Sequence, residues 1–168
     1  MVNKSLGFTL IEILVTLFLI SGGILGLAAT QAFSLNTNLS AYNRSQATFL
    51  AYDIADRMRA NLVEARKFNT STYLTSITPA YTAVQQNDCL TESAGCTPAN
   101  MAQEDLFEWF TQVSSTLPGC RDSAINDKCT SITVNNASNG FIITINWDDN
   151  RDGHIDENDP IFQVNILL

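Results

Sequence analysis

The sequence holds a single histidine, His154, and no C-x-x-C pair among its 4 cysteines. A serine or cysteine hydrolase triad would have to be built around that one imidazole, which sits among acids. A structural zinc site lacks its cysteine knuckle and its second histidine. No glycine-rich phosphate loop follows a strand-like run, so the pattern points away from an enzyme. Basic side chains are scarce too: 9 Lys and Arg stand against 17 Asp and Glu, for a net charge of −8. Nucleic acid is excluded as a partner by sign, since phosphates demand a basic face. The surplus of acid suits a soluble, exported surface. Two further absences shape the first third of the chain. Proline is missing from Phe8 to Lys67, and charge is missing from Ile13 to Asn43.

What fills that gap is an apolar run reaching about Leu35. About 20 mostly apolar residues cross a bilayer core, so the run is long enough to span. Glu12 stands at its opening, where a carboxylate at bilayer depth costs on the order of 2.5–3.5 kcal/mol. Such a charge calls for a partner, or for a route to the interface by snorkelling. An ordinary signal peptide is the weaker reading, because the run is long and the alanines near Ala28, Ala29 and Ala32 give no A-x-A site. Beyond the run, Leu35, Leu39, Tyr42, Phe49 or Leu50, Ile54, Met58, Leu62 and Ala65 recur at helical spacing, with Asp53 and Arg57 four apart on the other side. One helix of nearly 60 residues is predicted, apolar all round in its first half and striped in its second. Gly22, Gly23 and Gly26 each cost about 1 kcal/mol against alanine there. They mark either a close helix–helix contact or a place where the helix loosens.

Residues 68–96 are rich in Thr, Ser, Ala and Asn, contain Pro79, and read as irregular loop. Thr97-Pro98 is an N-cap with proline at the first helical position, opening a helix over 98–115 with Leu106, Phe107, Phe110 and Val113 as its apolar face. It stops before Pro118-Gly119. Period-2 alternation marks strands at about 130–135, 140–148 and 161–168, with Phe141, Ile143, Ile145 and Trp147 facing one way. Three antiparallel strands covering the striped half of a long helix make an α+β fold. Cys89, Cys96, Cys120 and Cys129 all lie beyond the apolar run. Four cysteines allow three pairings. The local ones, Cys89–Cys96 and Cys120–Cys129, are favoured because each closes a short loop, stabilising by about 2–3 kcal/mol. Disulfides place this part of the chain in an oxidising compartment.

The stretch from Asp148 to Asp159 has the spacing of a twelve-residue calcium loop. Side-chain oxygens fall at positions one, three, five, nine and twelve (Asp148, Asn150, Asp152, Asp156, Asp159). Gly153 takes the sharp-turn position and His154 would offer its backbone carbonyl. Asp159 in place of glutamate, and strands in place of flanking helices, depart from the pattern. The competing reading is a solvated acidic turn.

Lys4-Ser-Leu-Gly7-Phe8-Thr-Leu-Ile-Glu12 resembles the leader and cleavage site of the type IV pilin family. Cys96-Thr-Pro98 opening an acidic helix with Trp109, and Trp147-Asp-Asp-Asn-Arg-Asp-Gly153, extend the likeness to the minor pilins of that family. The resemblance implies a leader over 1–7, cut by a prepilin peptidase after Gly7 with methylation of the new Phe8 amine. It implies a membrane and filament-core helix over 8–35, and a periplasmic head over 36–168. Glu12 would neutralise the Phe8 amine of a neighbouring subunit. The implied role is a minor pilus subunit, held in the inner membrane and later in a pilus at the cell surface. Its partners would be the major pilin, other minor pilins, the inner-membrane assembly platform and, before assembly, lipid. A pseudopilin of type II secretion shares the leader and fold. A membrane-tethered, calcium-dependent adhesion module is the rival in which the acidic loop is the function.

Overall fold

The computed structural model describes residues 7, 9–75, 85, 89, 95–120 and 129–168. Its elements are α1 (Leu10–Ala60), a one-turn α2 (Leu62–Ala65), a 3-10 turn (Phe68–Thr70), α3 (Pro98–Thr116), β1 (Thr130–Asn135), β2 (Gly140–Asn146) and β3 (Ile161–Leu167). The chain divides into two compact units, Met1–Ala41 and Tyr42–Leu168. The first is the apolar half of α1, and the second holds the core. A long N-terminal helix packed on a small antiparallel sheet is the α+β arrangement that the periodicity predicts.

In the second unit α1 buries Asn43, Ala47, Leu50, Ala51, Ile54, Ala55 and Met58. Leu50, Ile54 and Met58 of the predicted stripe are buried; Tyr42 and Phe49, also predicted for it, are 55% and 70% exposed. The stripe is shifted by alanines at 47, 51 and 55, which sequence hydrophobicity undervalues. A small residue at each turn lets another element come close to the helix backbone. Trp109 of α3 does so: it is fully buried, and its indole N–H donates to the Leu50 carbonyl at 2.8 Å. That carbonyl lies inside α1, so the indole takes its second lone pair. Phe107 and Phe110, predicted for the α3 core face, are only half-buried, while Ala102, Leu106, Trp109 and Val113 fill it. The α3 start is as predicted: the Thr97 side chain accepts from the Asn100 N–H at 3.2 Å, with Pro98 at the first helical position.

The helix predicted to continue to Lys67 breaks at Asn61, whose backbone leaves the helical region at φ −113°, ψ 55°. The reason lies in the side chain. Asn61 Nδ2 donates to the Pro98 carbonyl at 2.7 Å and to Tyr73 Oη at 3.2 Å, bonds that compete with helix continuation. Tyr73 is buried in turn and its hydroxyl donates to Asp105. Burial first, and then the Asp105 carboxylate, hold the phenol well above its ordinary value, so it remains a donor. Arg57 joins the same junction. It reaches Asp53 at 3.0 Å as the four-residue spacing predicts, and also Glu108 at 2.6 Å and Asp105 at 3.5 Å on α3. Burial opposes its charge, but Glu108 and Asp53 outweigh that and raise its pKa.

The sheet has the order β1-β2-β3, antiparallel throughout, with β2 in the centre. Phe141, Ile143, Ile145 and Trp147 are all buried on one face, as the alternation predicts. The middle strand ends at Asn146 rather than 148, because the Asp148 N–H leaves the ladder to donate to the Pro118 carbonyl at 3.1 Å. Cys89 is bonded to Cys96 and Cys120 to Cys129, the two local pairings.

Glu64 is 1% exposed, and its carboxylate is occupied by Lys67, the Thr72 N–H at 2.9 Å and the Thr72 hydroxyl at 2.8 Å. Burial alone would raise its pKa from 4.5; the Lys67 and Thr72 bonds more than offset this and lower it. A depressed carboxylate contributes stability that is complete above its unfolded value and is lost as pH falls through the folded one. Melting temperature should therefore fall as pH drops below about 4.5, and Glu64→Gln should flatten that part of the profile. A Glu64→Gln curve parallel to the parent's would overturn this. For α3, Trp109→Phe should cost about 1–2 kcal/mol through the lost indole bond, and Trp109→Ala about 3–5 kcal/mol, both read by denaturant titration.

Candidate functional site

Two features stand out from the scaffold: the apolar half of α1 and the acidic loop from Asp148 to Asp159. In the first, every residue from Thr9 to Asn38 is exposed. Phe18 at 77% and Leu25 at 72% are typical of large apolar side chains on this surface. The mean hydropathy of its best 18-residue window is 2.3, long and apolar enough to cross a membrane. Its hydroxyls do not spoil that surface. Thr16, Ser21 and Thr30 each donate to a carbonyl of the preceding turn at 2.8 Å, so no hydroxyl proton among these three demands water. The helix runs unbroken through Gly22, Gly23 and Gly26, and nothing approaches within 4 Å of the position a Cβ would take at any of them.

Glu12 lies in the first turn of α1, where unsatisfied N–H groups and the helix dipole favour negative charge. Its own N–H is directed at the Thr9 carbonyl at 3.1 Å and the Thr9 hydroxyl at 3.4 Å. Thr9-x-x-Glu12 has the spacing of a capping box, a signal already present in the sequence. Gly7 has no heavy atom within 4 Å of an added Cβ, and Phe8 lies outside the described residues.

In the acidic loop the carboxylates serve as acceptors for backbone N–H groups. Asp148 takes Asp152 N–H at 3.2 Å on one oxygen and Gly153 N–H at 3.0 Å on the other. Asp159 takes Asp149 N–H at 3.1 Å and Asp156 N–H at 3.0 Å, so the last residue closes the loop onto its second. Asn150 accepts from Asp152 N–H at 2.8 Å, Asp152 from His154 N–H at 2.9 Å, and Asp156 from Asn158 N–H at 2.8 Å. Asp148 and Asp159 are buried, as is Ile155, while Asp152, His154 and Asp156 are exposed. Gly153 sits at φ +89°, the left-handed turn its position requires, and Arg151 shares that region at φ +60°. Among the described residues no three His, Cys, Asp or Glu side chains converge as a metal-binding group. Each oxygen that takes one N–H keeps a second lone pair.

Residues outside the predicted ligand set position this loop. Asp149 Oδ1 accepts from Trp147 Nε1 at 3.0 Å and from Asn43 Nδ2 at 3.4 Å, joining the loop to the first buried residue of α1. Gly119, at φ +79°, lies against the loop's first residue: a Cβ there would stand 2.5 Å from that of Asp148. No periodicity reports a polar residue that faces the core, so Asn43 could be found only in three dimensions.

Residues 29–107 match the model of the Tt1218-like family, described as type IV pilin Tt1218. The match covers a little under half of the chain. It begins within the exposed part of α1, runs through the Asn61 break, and ends within α3. Glu12, the sheet and the acidic loop lie outside it. No curated protein and no solved structure matches the chain.

Proposed function

We infer that this chain is a type IV pilin subunit that acts by assembly with other pilus components rather than by catalysis. The observation that carries the reading is the apolar half of α1. It is exposed from Thr9 to Asn38, has the hydroxyls of Thr16, Ser21, Thr30 and Thr37 bonded to its own carbonyls, and runs as one helix into the stretch that matches the pilin family. A surface of that kind is stable only in lipid or among other helices. The finer proposal is a minor pilin, most similar to PilV in its N-terminus, in Cys96-Thr-Pro98 with Trp109, and in Trp147 to Gly153. It is anchored in the inner membrane with its disulfide-bonded head in the periplasm, cut after Gly7 by a prepilin peptidase, and methylated at Phe8. It then joins major and minor pilins through the assembly platform.

Mass spectrometry of the mature protein should find an N-methylated Phe8 and no leader, and a bulky residue at Gly7 should leave the longer form in the membrane. Glu12→Gln keeps the capping geometry while removing the charge. It should insert and be cleaved, yet fail to enter filaments. Normal incorporation of that variant would assign Glu12 to helix capping alone. A mature chain starting near Gln31 would overturn the pilin reading altogether.

We propose calcium as the ligand of the acidic loop. The spacing of Asp148, Asn150, Asp152, Asp156 and Asp159 supports it, with Gly153 in the left-handed region at the turn. Binding requires the carboxylates to turn part of their acceptor capacity from N–H groups to the cation. With aspartate at the last position the affinity falls in the weak range, about 10⁻⁴–10⁻³ M. Calcium at roughly 100 times Kd should then add ~2.7 kcal/mol to the folded state. Asp152→Ala should abolish the gain and His154→Ala should keep it. A melting curve unmoved by calcium at about 10–100 mM, roughly 100 times that Kd, would make the loop an acidic turn.

A further inference from the structure

We propose that the outer edge of β3 docks the same strand of a second copy of this chain, laid antiparallel about Val164. β3 pairs with β2 along its whole length, and among the described residues nothing pairs with its other edge. The opposite edge of the sheet differs. There Thr75 bridges to Ile132, with Thr75 N–H to the Ile132 carbonyl at 3.0 Å and Ile132 N–H to the Thr75 hydroxyl at 2.9 Å. An exposed edge is ordinarily blunted by a lysine, an internal proline, a bulge or shortness. The 7 residues from Ile161 to Leu167 have none of these: they are uncharged, free of proline, and in unbroken register with β2. Large apolar side chains stand at both ends, Ile161 59% and Leu167 66% exposed.

The occupant follows from the order of the residues. Apolar and amide side chains read the same in both directions from Val164. A second β3 in that register sets Ile161 against Leu167, Phe162 against Ile166, and Gln163 against Asn165, and a two-fold axis makes each pairing occur twice. The amides are complementary in what they have left. Gln163 already donates to the Thr144 hydroxyl at 3.2 Å and Asn165 already accepts from Asn135 at 3.0 Å. A carbonyl on Gln163 and an NH₂ on Asn165 are left to meet across the junction. Charge points the same way. In a chain of net charge −8 this strand carries none, so two copies meet here with no like charges opposed, and a charged strand would find no counter-charge. One strand pair is smaller than the ~1,200–2,000 Å² of a standing interface, so the contact is weak in dilute solution and populated where the chain is concentrated in a membrane plane. The argument is independent of the pilin reading.

The test uses the full chain reconstituted in liposomes. Gln163→Cys and Asn165→Cys chains with different tags are mixed and oxidised mildly, and the products are separated without reductant. The mixed 163–165 crosslink should exceed either self-crosslink several-fold, because only those positions oppose each other. Gln163→Lys puts a charge on the edge twice per pair and should lower the dimer about tenfold, although it reduces the net charge that drives copies apart. Asn136→Lys, on the exposed turn between β1 and β2, should leave the dimer intact. The proposal is overturned by a chain that stays monomeric at every loading, or by self-crosslinks as abundant as the mixed one. It is overturned equally by a Gln163→Lys dimer at parental yield, which would move the contact to α1.

Discussion

The head depends on one buried hydrogen bond, from the Trp109 indole to the Leu50 carbonyl. A tryptophan can be fully buried only where its N–H finds an acceptor, and the acceptor here is the backbone of another helix. That requirement explains the alanines. With Ala47 and Ala51 flanking the contact, α1 offers its own main chain to α3 instead of a wall of side chains. The remaining junction is built around this approach. Asn61 ends α1 and ties its last turn to the first residue of α3, Tyr73 links Asn61 to Asp105, and Arg57 gathers three carboxylates from both helices. The polar groups at this junction are partnered to one another, so the register of α3 on α1 is set by hydrogen bonds as well as by apolar area.

Most of the architecture was legible in the sequence, because it rests on periodicity and local chemistry. Phe141, Ile143, Ile145 and Trp147 alternate and are buried on one face; Thr97-Pro98 looks like a helix start and is one. What escaped was decided across the fold. Asn61 carries no sign that its side chain will be claimed by Pro98 and Tyr73, so the helix was predicted to run past it. Phe49 is more hydrophobic than Ala51, yet Ala51 is buried and Phe49 exposed, because closeness of packing and not apolar area chose the core face. On α3 the predicted Leu106 and Val113 are buried, but Trp109, whose indole N–H has an acceptor in α1, takes the place expected for Phe107 and Phe110. The acidic loop was legible as a turn of defined spacing. Its attachment to Asn43 and its contact with Gly119 were not.

The two candidate features differ in how the molecule satisfies them. The acidic loop meets its own needs: Asp148 and Asp159, the most buried of its carboxylates, each hold two backbone N–H groups. It can stand as a folded turn without anything further. The apolar half of α1 cannot. The hydroxyls of Thr16, Ser21 and Thr30 bond within the helix, but its large apolar side chains have no cover in their own unit. Burying one such large side chain is worth about 1.5–3 kcal/mol, and more than a dozen lie along the run. The drive to be covered therefore resides in the helix, and any cation effect on the loop would be a modest adjustment beside it.

Glu12 is where that drive meets its one obstacle, and magnitudes separate the two accounts of it. A carboxylate in the first turn of a helix gains about 0.3–1 kcal/mol from the dipole, whereas the Thr9 cap is taken by the Glu12 backbone N–H and does not depend on the charge. The cost of carrying a charge into an apolar bundle is on the order of 2.5–3.5 kcal/mol at full depth, and less near the interface. Where the first turn lies near the headgroups, the dipole offsets part of what remains. Among packed helices there is no interface to reach, the full cost applies, and the dipole covers less than half of it. Under the assembly role proposed for Glu12, the balance comes from an opposite charge brought by another chain. Glu12 would then be tolerated while the helix stands alone in lipid, and unfavourable in a bundle that fails to supply a cation beside it. A residue with that profile would make the proposed assembly conditional on the correct neighbour, which a leucine at the same position could not do.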